Sequence, residues 1–169
     1  MHTHAMAMQS LRSEDPDILF VVYGETDDFA HHGQYAEYLD SLHRADGFIA
    51  ELWNTAQAQP GWAGRTTLIV TTDHGRGRPD LDNENWRHHG SGYDASPLYR
   101  PEELEPGSDQ TWAVYLGPRR AEPVVAPNPA LWPCPTNSRL AATAIEAMGL
   151  DWRRFNPRMD APMIRVQAQ

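Results

Sequence analysis

Three short stretches of the chain concentrate side chains that bind metal ions. GETDDFAHHG (Gly24–Gly33) carries Glu25, Asp27, Asp28, His31 and His32. TDHGRG (Thr72–Gly77) carries Asp73 and His74, and RHHGSG (Arg87–Gly92) carries His88 and His89. Carboxylates mixed with neutral imidazoles are the ligand types that zinc and similar divalent ions take. Asp27 and His31 are four positions apart, so one helical turn points both at a single ion. Asp73 and His74 are adjacent, which on an extended strand sends them to opposite faces. A turn at the strand tip, supported by the glycine that follows, removes that obstacle. Any one of these pairs alone is better explained by turn and cap chemistry. Their convergence from three segments points to a metal site.

The flanking sequence supplies elements that can position them. DILFVVYG (Asp17–Gly24) is a continuous apolar run of strand length, as expected for a strand covered on both faces. From Tyr35 to about Ala56, apolar residues recur at Tyr35, Tyr38, Leu39, Leu42, Ala45, Ile49, Leu52, Trp53 and Ala56, which predicts a long helix. QPGWAG closes that helix, and TTLIVTT (Thr66–Thr72) is a second apolar strand. Strand, helix and strand in this order make a βαβ unit with parallel neighbours. Both strand tips then lie at the edge where open parallel sheets gather ligands. They sit roughly 5 Å apart if the strands pair directly, and about twice that if one strand intervenes.

Three further elements are expected. AMAMQSLR, about Ala5 to Arg12, favours a short helix. TWAVYLG (Thr111–Gly117) is a third strand. NSRLAATAIEAMGL forms a last helix with Leu140, Ala141, Ala144, Ile145 and Met148 on one face and Gly149 as its stop. Between His74 and Thr111 the sequence is rich in glycine, proline and charge, and is expected to form long loops of functional weight.

Several polar residues have simpler assignments. His2, His4 and His43 are assigned to solvent or a helix surface, and Asp46, which interrupts the long stripe, to a local backbone bond. Of the doublets His31–His32 and His88–His89, one member each is expected to face inward. Arg76 and Arg78 are suited to steering an anionic ester, but are assigned as flexible surface arginines.

Composition narrows the partners. A net charge of −9 over 169 residues argues against a nucleic-acid backbone or an anionic membrane surface. The single cysteine, Cys134, excludes an intrachain disulfide. No run reaches membrane-spanning length, and the opening MHTHAMAMQSLRSED lacks the basic start and apolar core of a secretory signal. Compartment and oligomeric state are not legible.

Taken together, GETDDFAH, the long helix, TTLIVTTDHGRG and HHG resemble the alkaline phosphatase superfamily, which includes phosphodiesterases, phosphopentomutases and sulfatases. The closing LAATAIEAMGLD is similar to the last helix of that family. The resemblance implies an α/β fold, a three-layer sandwich with a mostly parallel sheet. It also implies a site with two divalent ions, zinc expected. Asp27, His31 and His89 match the ligands of one ion, and Asp73 and His74 match ligands of the second. The substrate implied is a small phosphate or sulfate ester. The family's nucleophile and a further aspartate lie well upstream of the Asp-x-x-x-His motif, and no residue before Asp27 matches them. The expectation is therefore a single partial domain over residues 1–169, the C-terminal half of an alkaline-phosphatase-like core, with an incomplete second metal site and no assignable nucleophile. Two other readings stand beside it: a self-sufficient hydrolase using a metal-bound water, and a non-catalytic metal-binding or assembly module.

Overall fold

The structure is a computed structural model, and it describes residues 2–76, 85–87, 89, 111–118, 121–123 and 137–166. The chain divides into two compact units, one of residues 1–63 with 74–110 and one of residues 64–73 with 111–169.

The first unit is helical. It contains α1 (His2–Ser13), α2 (Glu25–His31), α3 (Tyr35–Ala58) and a 3-10 turn (Asn85–Arg87). On α1, His4, Ala7, Met8 and Leu11 are buried; their spacing makes one continuous stripe. His4 is therefore a core residue, and its assignment to the surface is corrected. Its ring stacks on Phe48 of α3 at 4.0 Å between centroids. Its Nε2 donates to the Glu51 carboxylate at 3.0 Å, and its Nδ1 lies 2.9 Å from the Tyr23 hydroxyl. A carboxylate only accepts, so the tautomer with hydrogen on Nε2 satisfies both contacts. The Gln59 side chain donates to the Leu11 carbonyl at 3.1 Å, closing the far end of α1 against the end of α3.

The expected strand at Asp17–Gly24 does not form. This segment joins no sheet among the described residues, and Ile18, Phe20 and Val22 are exposed. Apolar and β-branched character marks a segment that suits a sheet. A strand exists only when a neighbour supplies the ladder of backbone bonds. The α3 helix appears as expected, but part of its stripe is open, with Tyr35, Leu39 and Leu42 exposed.

The second unit holds β1 (Leu68–Thr71), β2 (Ala113–Leu116), β3 (Ala121–Pro123), α4 (Leu140–Ala147), α5 (Trp152–Phe155) and β4 (Ile164–Val166). β1 pairs with β2 in antiparallel register, Leu68 opposite Leu116 and Thr71 opposite Ala113. β3 pairs antiparallel with β4. The mostly parallel sheet is thus corrected: among the described residues both two-stranded sheets are antiparallel. Periodicity identified β1 and β2 as strands without specifying which neighbour each would take. The structure is a mixed helix and strand arrangement compatible with part of an α/β fold.

Helix α4 ends as its sequence predicts. Gly149 takes the left-handed conformation at φ 78°. The Gly149 and Leu150 amides donate back to the Glu146 and Ile145 carbonyls at 2.9 and 3.2 Å, forming a Schellman cap. Its buried face differs from the expected stripe. Ala142 and Thr143 are buried, whereas Ala141 and Met148 are exposed. Thr143 Oγ1 donates to the Arg139 carbonyl and accepts from the Met163 amide at 2.9 Å, which turns the helix toward the chain leading into β4. Among the described residues no helix is long and apolar enough to cross a membrane.

Candidate metal centre

The site is built in the first unit from α2, the residues that follow β1 in sequence, and the turn before His89. Gly24 precedes α2, and its carbonyl accepts from the Asp27 amide at 3.1 Å. Acidic Glu25, Asp27 and Asp28 occupy the first turn, where the positive end of the peptide dipoles favours them. Ala30, fully buried, anchors α2 and leaves Asp27 and His31 on one face a helical turn apart. The Asp27 Oδ2 to His31 Nε2 distance is 3.4 Å.

A tight turn and an aromatic cluster bring His89 over this face. Gly33 has φ +68°, and a Cβ there would lie 2.8 Å from the Arg87 guanidinium carbon. That glycine serves both the left-handed turn after α2 and the close seat of Arg87. Next to Arg87, Trp86 meets Tyr35 edge-on at 5.3 Å and Tyr38 at 5.8 Å between centroids. Two residues beyond Arg87, His89 Nε2 lies 3.0 Å from His31 Nε2 and 3.4 Å from Asp27 Oδ1.

The three ligand-type atoms of Asp27, His31 and His89 all lie within 4.8 Å of one another. With bonds of about 2.0–2.1 Å, the edges of a tetrahedral zinc site are about 3.3 Å long. The 3.0 Å between the His31 and His89 Nε2 atoms is close to such an edge, and Asp27 reaches each ring with a different oxygen, Oδ2 to His31 and Oδ1 to His89, at 3.4 Å. In the metal-free arrangement one of the two facing imidazoles must supply a hydrogen and the other a lone pair. A divalent ion would take the lone pairs of both. The donor set and the spacing fit a divalent cation.

His74 belongs to the same cluster. Its ring stacks on His89 at 3.8 Å between centroids, and its Nε2 lies 3.8 Å from Asp27 Oδ1. The pKa of His89 is lowered from the ordinary imidazole value. Burial is the main cause, and the positive charge that His74, His31 and Arg76 carry when protonated adds to it, with Asp27 opposing. A neutral imidazole is the form a metal requires.

Asp73 is exposed and belongs to the second unit, where its carbonyl accepts from the Asn137 side chain at 2.7 Å. It is not part of the converging trio of ligand atoms among the described residues. His32 turns back to its own helix, its Nδ1 2.7 Å from the Asp28 carbonyl. His88 and Arg78 lie outside the described residues.

Two features escaped the sequence reading. Arg76 is no loose surface side chain: it pairs with Asp27 and is largely buried. A carboxylate among imidazoles at the end of a Gly-Arg turn was the available signal. The aromatic seat of Trp86 on Tyr35 and Tyr38 links positions too far apart in sequence for any local pattern to reveal.

A family model described as type I phosphodiesterase / nucleotide pyrophosphatase matches residues 2–89, just over half of the chain. The matched span contains Asp27, His31, Asp73, His74 and Arg76, and it ends on His89. No curated protein and no solved structure matches the chain significantly.

Proposed function

The chain belongs to the type I phosphodiesterase / nucleotide pyrophosphatase family, within the alkaline phosphatase superfamily, and from that premise we propose that it carries the metal-binding portion of a phosphoester hydrolase site. The observation that carries this reading is the convergence of one ligand atom each from Asp27, His31 and His89 within 4.8 Å of one another, with the two imidazole Nε2 atoms 3.0 Å apart. In this reading Asp27, His31 and His89 hold one divalent ion, with zinc the best match to two imidazoles and a carboxylate. Asp73 and His74, adjacent in the sequence, are the proposed ligands of a second ion. When bound, the ions supply charge that stabilises the oxygens of an in-line displacement.

The chain's own residues have definite tasks. His31 and His89 present neutral nitrogens, and Asp27 supplies the anionic charge between them. The stacking of His74 on His89 fixes the His89 ring plane. Arg76 brings a further positive charge to a region that would face an anionic ester. No nucleophile is assigned. The substrate is a small phosphate ester; a sulfate ester would meet the same charges.

The test is metal binding by the full 169-residue chain, followed with a chelator competition and elemental analysis. One tightly held zinc and a second, much weaker one are expected, together with zinc-dependent hydrolysis of bis(p-nitrophenyl) phosphate if the chain suffices for turnover. Failure to bind zinc at all would remove the reading.

A second reading is a non-catalytic module whose metal is structural and whose apolar strip of Ile18, Phe20 and Val22 serves assembly. It predicts that chelation lowers the melting temperature and that zinc restores the fold without any ester hydrolysis. An unchanged melting temperature after chelation would eliminate it.

A further inference from the structure

Arg76 stands outside the proposed ligand set, yet it grips both segments that carry it. Its Nη2 donates to Asp27 Oδ1 on α2. Its Nη1 donates to the carbonyl of Arg87 at 3.3 Å, two residues before His89. One planar guanidinium therefore spans the carboxylate of one candidate ligand and the backbone that delivers another. The side chain is 18% exposed, against 36% for Asp27 and 32% for His89, so it is the most buried of the three.

We propose that Arg76 is a positioning residue for the metal, a guanidinium bridge that sets the spacing between Asp27 and His89 before the ion arrives. This rests on the reading of Asp27, His31 and His89 as ligands. Two effects of Arg76 oppose each other. Its positive charge repels a dication, while its fork orders two segments that the ion would otherwise have to draw together. The carboxylate decides between them. Asp27 has two oxygens and about four lone-pair sites. Arg76 engages Oδ1, which also lies 3.4 Å from His89 Nε2, while Oδ2 lies 3.4 Å from His31 Nε2 and keeps lone pairs for an ion. The arginine charge is already matched by Asp27, so the net repulsion is small and the ordering effect prevails. Partners that orient a metal ligand from behind in this way change affinity by about 10–100-fold when removed.

Arg76 also differs from an interchangeable cation. A lysine offers one nitrogen and cannot reach the carboxylate and the Arg87 carbonyl in the fixed geometry of the fork.

The experiment compares zinc affinity, by competition with a chromophoric chelator, in the full chain and in its Arg76→Gln and Arg76→Lys variants. Both variants are expected to bind zinc about 10–100-fold more weakly, with lysine no better than glutamine. Equal or tighter binding by Arg76→Gln overturns the proposal, since it makes Arg76 a bystander or a competitor of the ion. Full affinity in Arg76→Lys also overturns it, because charge alone would then suffice. A measurement on the unaltered chain stands independently of how the variants fold. The Arg76 guanidinium protons, followed by NMR, are expected to stay in slow exchange when zinc is added, and their release on zinc binding overturns the bridge. The underlying reading fails differently: zinc affinity would then be insensitive to Asp27→Asn and His31→Ala, or absent in the unaltered chain.

Discussion

The Nε2 atoms of His31 and His89 lie 3.0 Å apart although 58 positions separate the two residues in the chain. Each ring turns its Nε2 toward Asp27 as well, so the pair forms two corners of a cation-sized gap. The local devices that create it are the i, i+4 pairing on α2, the left-handed Gly33, and the aromatic seat of Trp86.

If this gap holds an ion, each corner matters. His31→Ala and His89→Ala are each expected to weaken zinc binding by more than about 100-fold, exceeding the loss from an outer partner. Trp86→Ala, at a residue outside the proposed ligand set, is expected to weaken it by a smaller factor by loosening the turn before His89. Chelator competition measures all three, and equal affinities across the set would count against the site.

Gly33→Ala combines a residue with a Cβ, a φ of +68° and the Arg87 guanidinium in the space that Cβ would take. A non-glycine residue in this conformation costs about 1–2 kcal/mol, and the displaced arginine adds to it. Denaturant unfolding of the metal-free chain is expected to shift to a lower midpoint, with weaker zinc binding alongside. A variant as stable as the parent would show that the turn tolerates a side chain.

The buried His4 joins Tyr23, Phe48 and Glu51. His4→Ala removes a ring stacked at 4.0 Å and leaves the Tyr23 hydroxyl to find another partner. The expected destabilisation is about 1–3 kcal/mol, the range for a half-buried polar group deprived of its bond. The unfolding midpoint should fall while the slope with denaturant stays the same. An unaffected midpoint would return His4 to the surface role that its residue type alone suggests.

Acid should work against the His89 corner. Its pKa is lowered, chiefly by burial, so the folded chain resists protonating it. The unfolded chain takes up that proton near the ordinary value of about 6.5. The contribution of this group to stability is therefore complete above that value and is lost as pH falls through it toward the lower folded pKa. In chelator-treated protein, the His89 ring resonances should titrate below the ordinary imidazole value of about 6.5. A midpoint at or above that value would contradict the assignment.

The legible parts of the molecule were those governed by local rules. The stripe from Tyr35 to Ala56 became α3, two residues longer than expected. LIVT became β1, AVYL became β2, and Gly149 capped α4 in the left-handed conformation its type allows. Side-chain type also marked out Asp27, His31, Asp73, His74 and His89 as ligand-type residues, of which Asp27, His31 and His89 converge. The sheet was not legible. DILFVVYG has the composition of a covered strand, but pairing is a property of two segments, and the antiparallel partner of β1 lies more than forty residues away at Ala113–Leu116.

The amino-acid sequence by itself determined the periodicities, the glycine cap of α4, the i, i+4 geometry of Asp27 and His31, and the clustering of ligand-type side chains, because each depends on residues within a few positions of one another. Tertiary structure alone decided that His4 is a core residue and that Arg76 is a bridge. It likewise decided that His89 closes the cation-sized gap. Those roles depend on which distant surfaces meet, and burial, ion pairing and ligand spacing acquire values only once the intervening chain has folded back on itself.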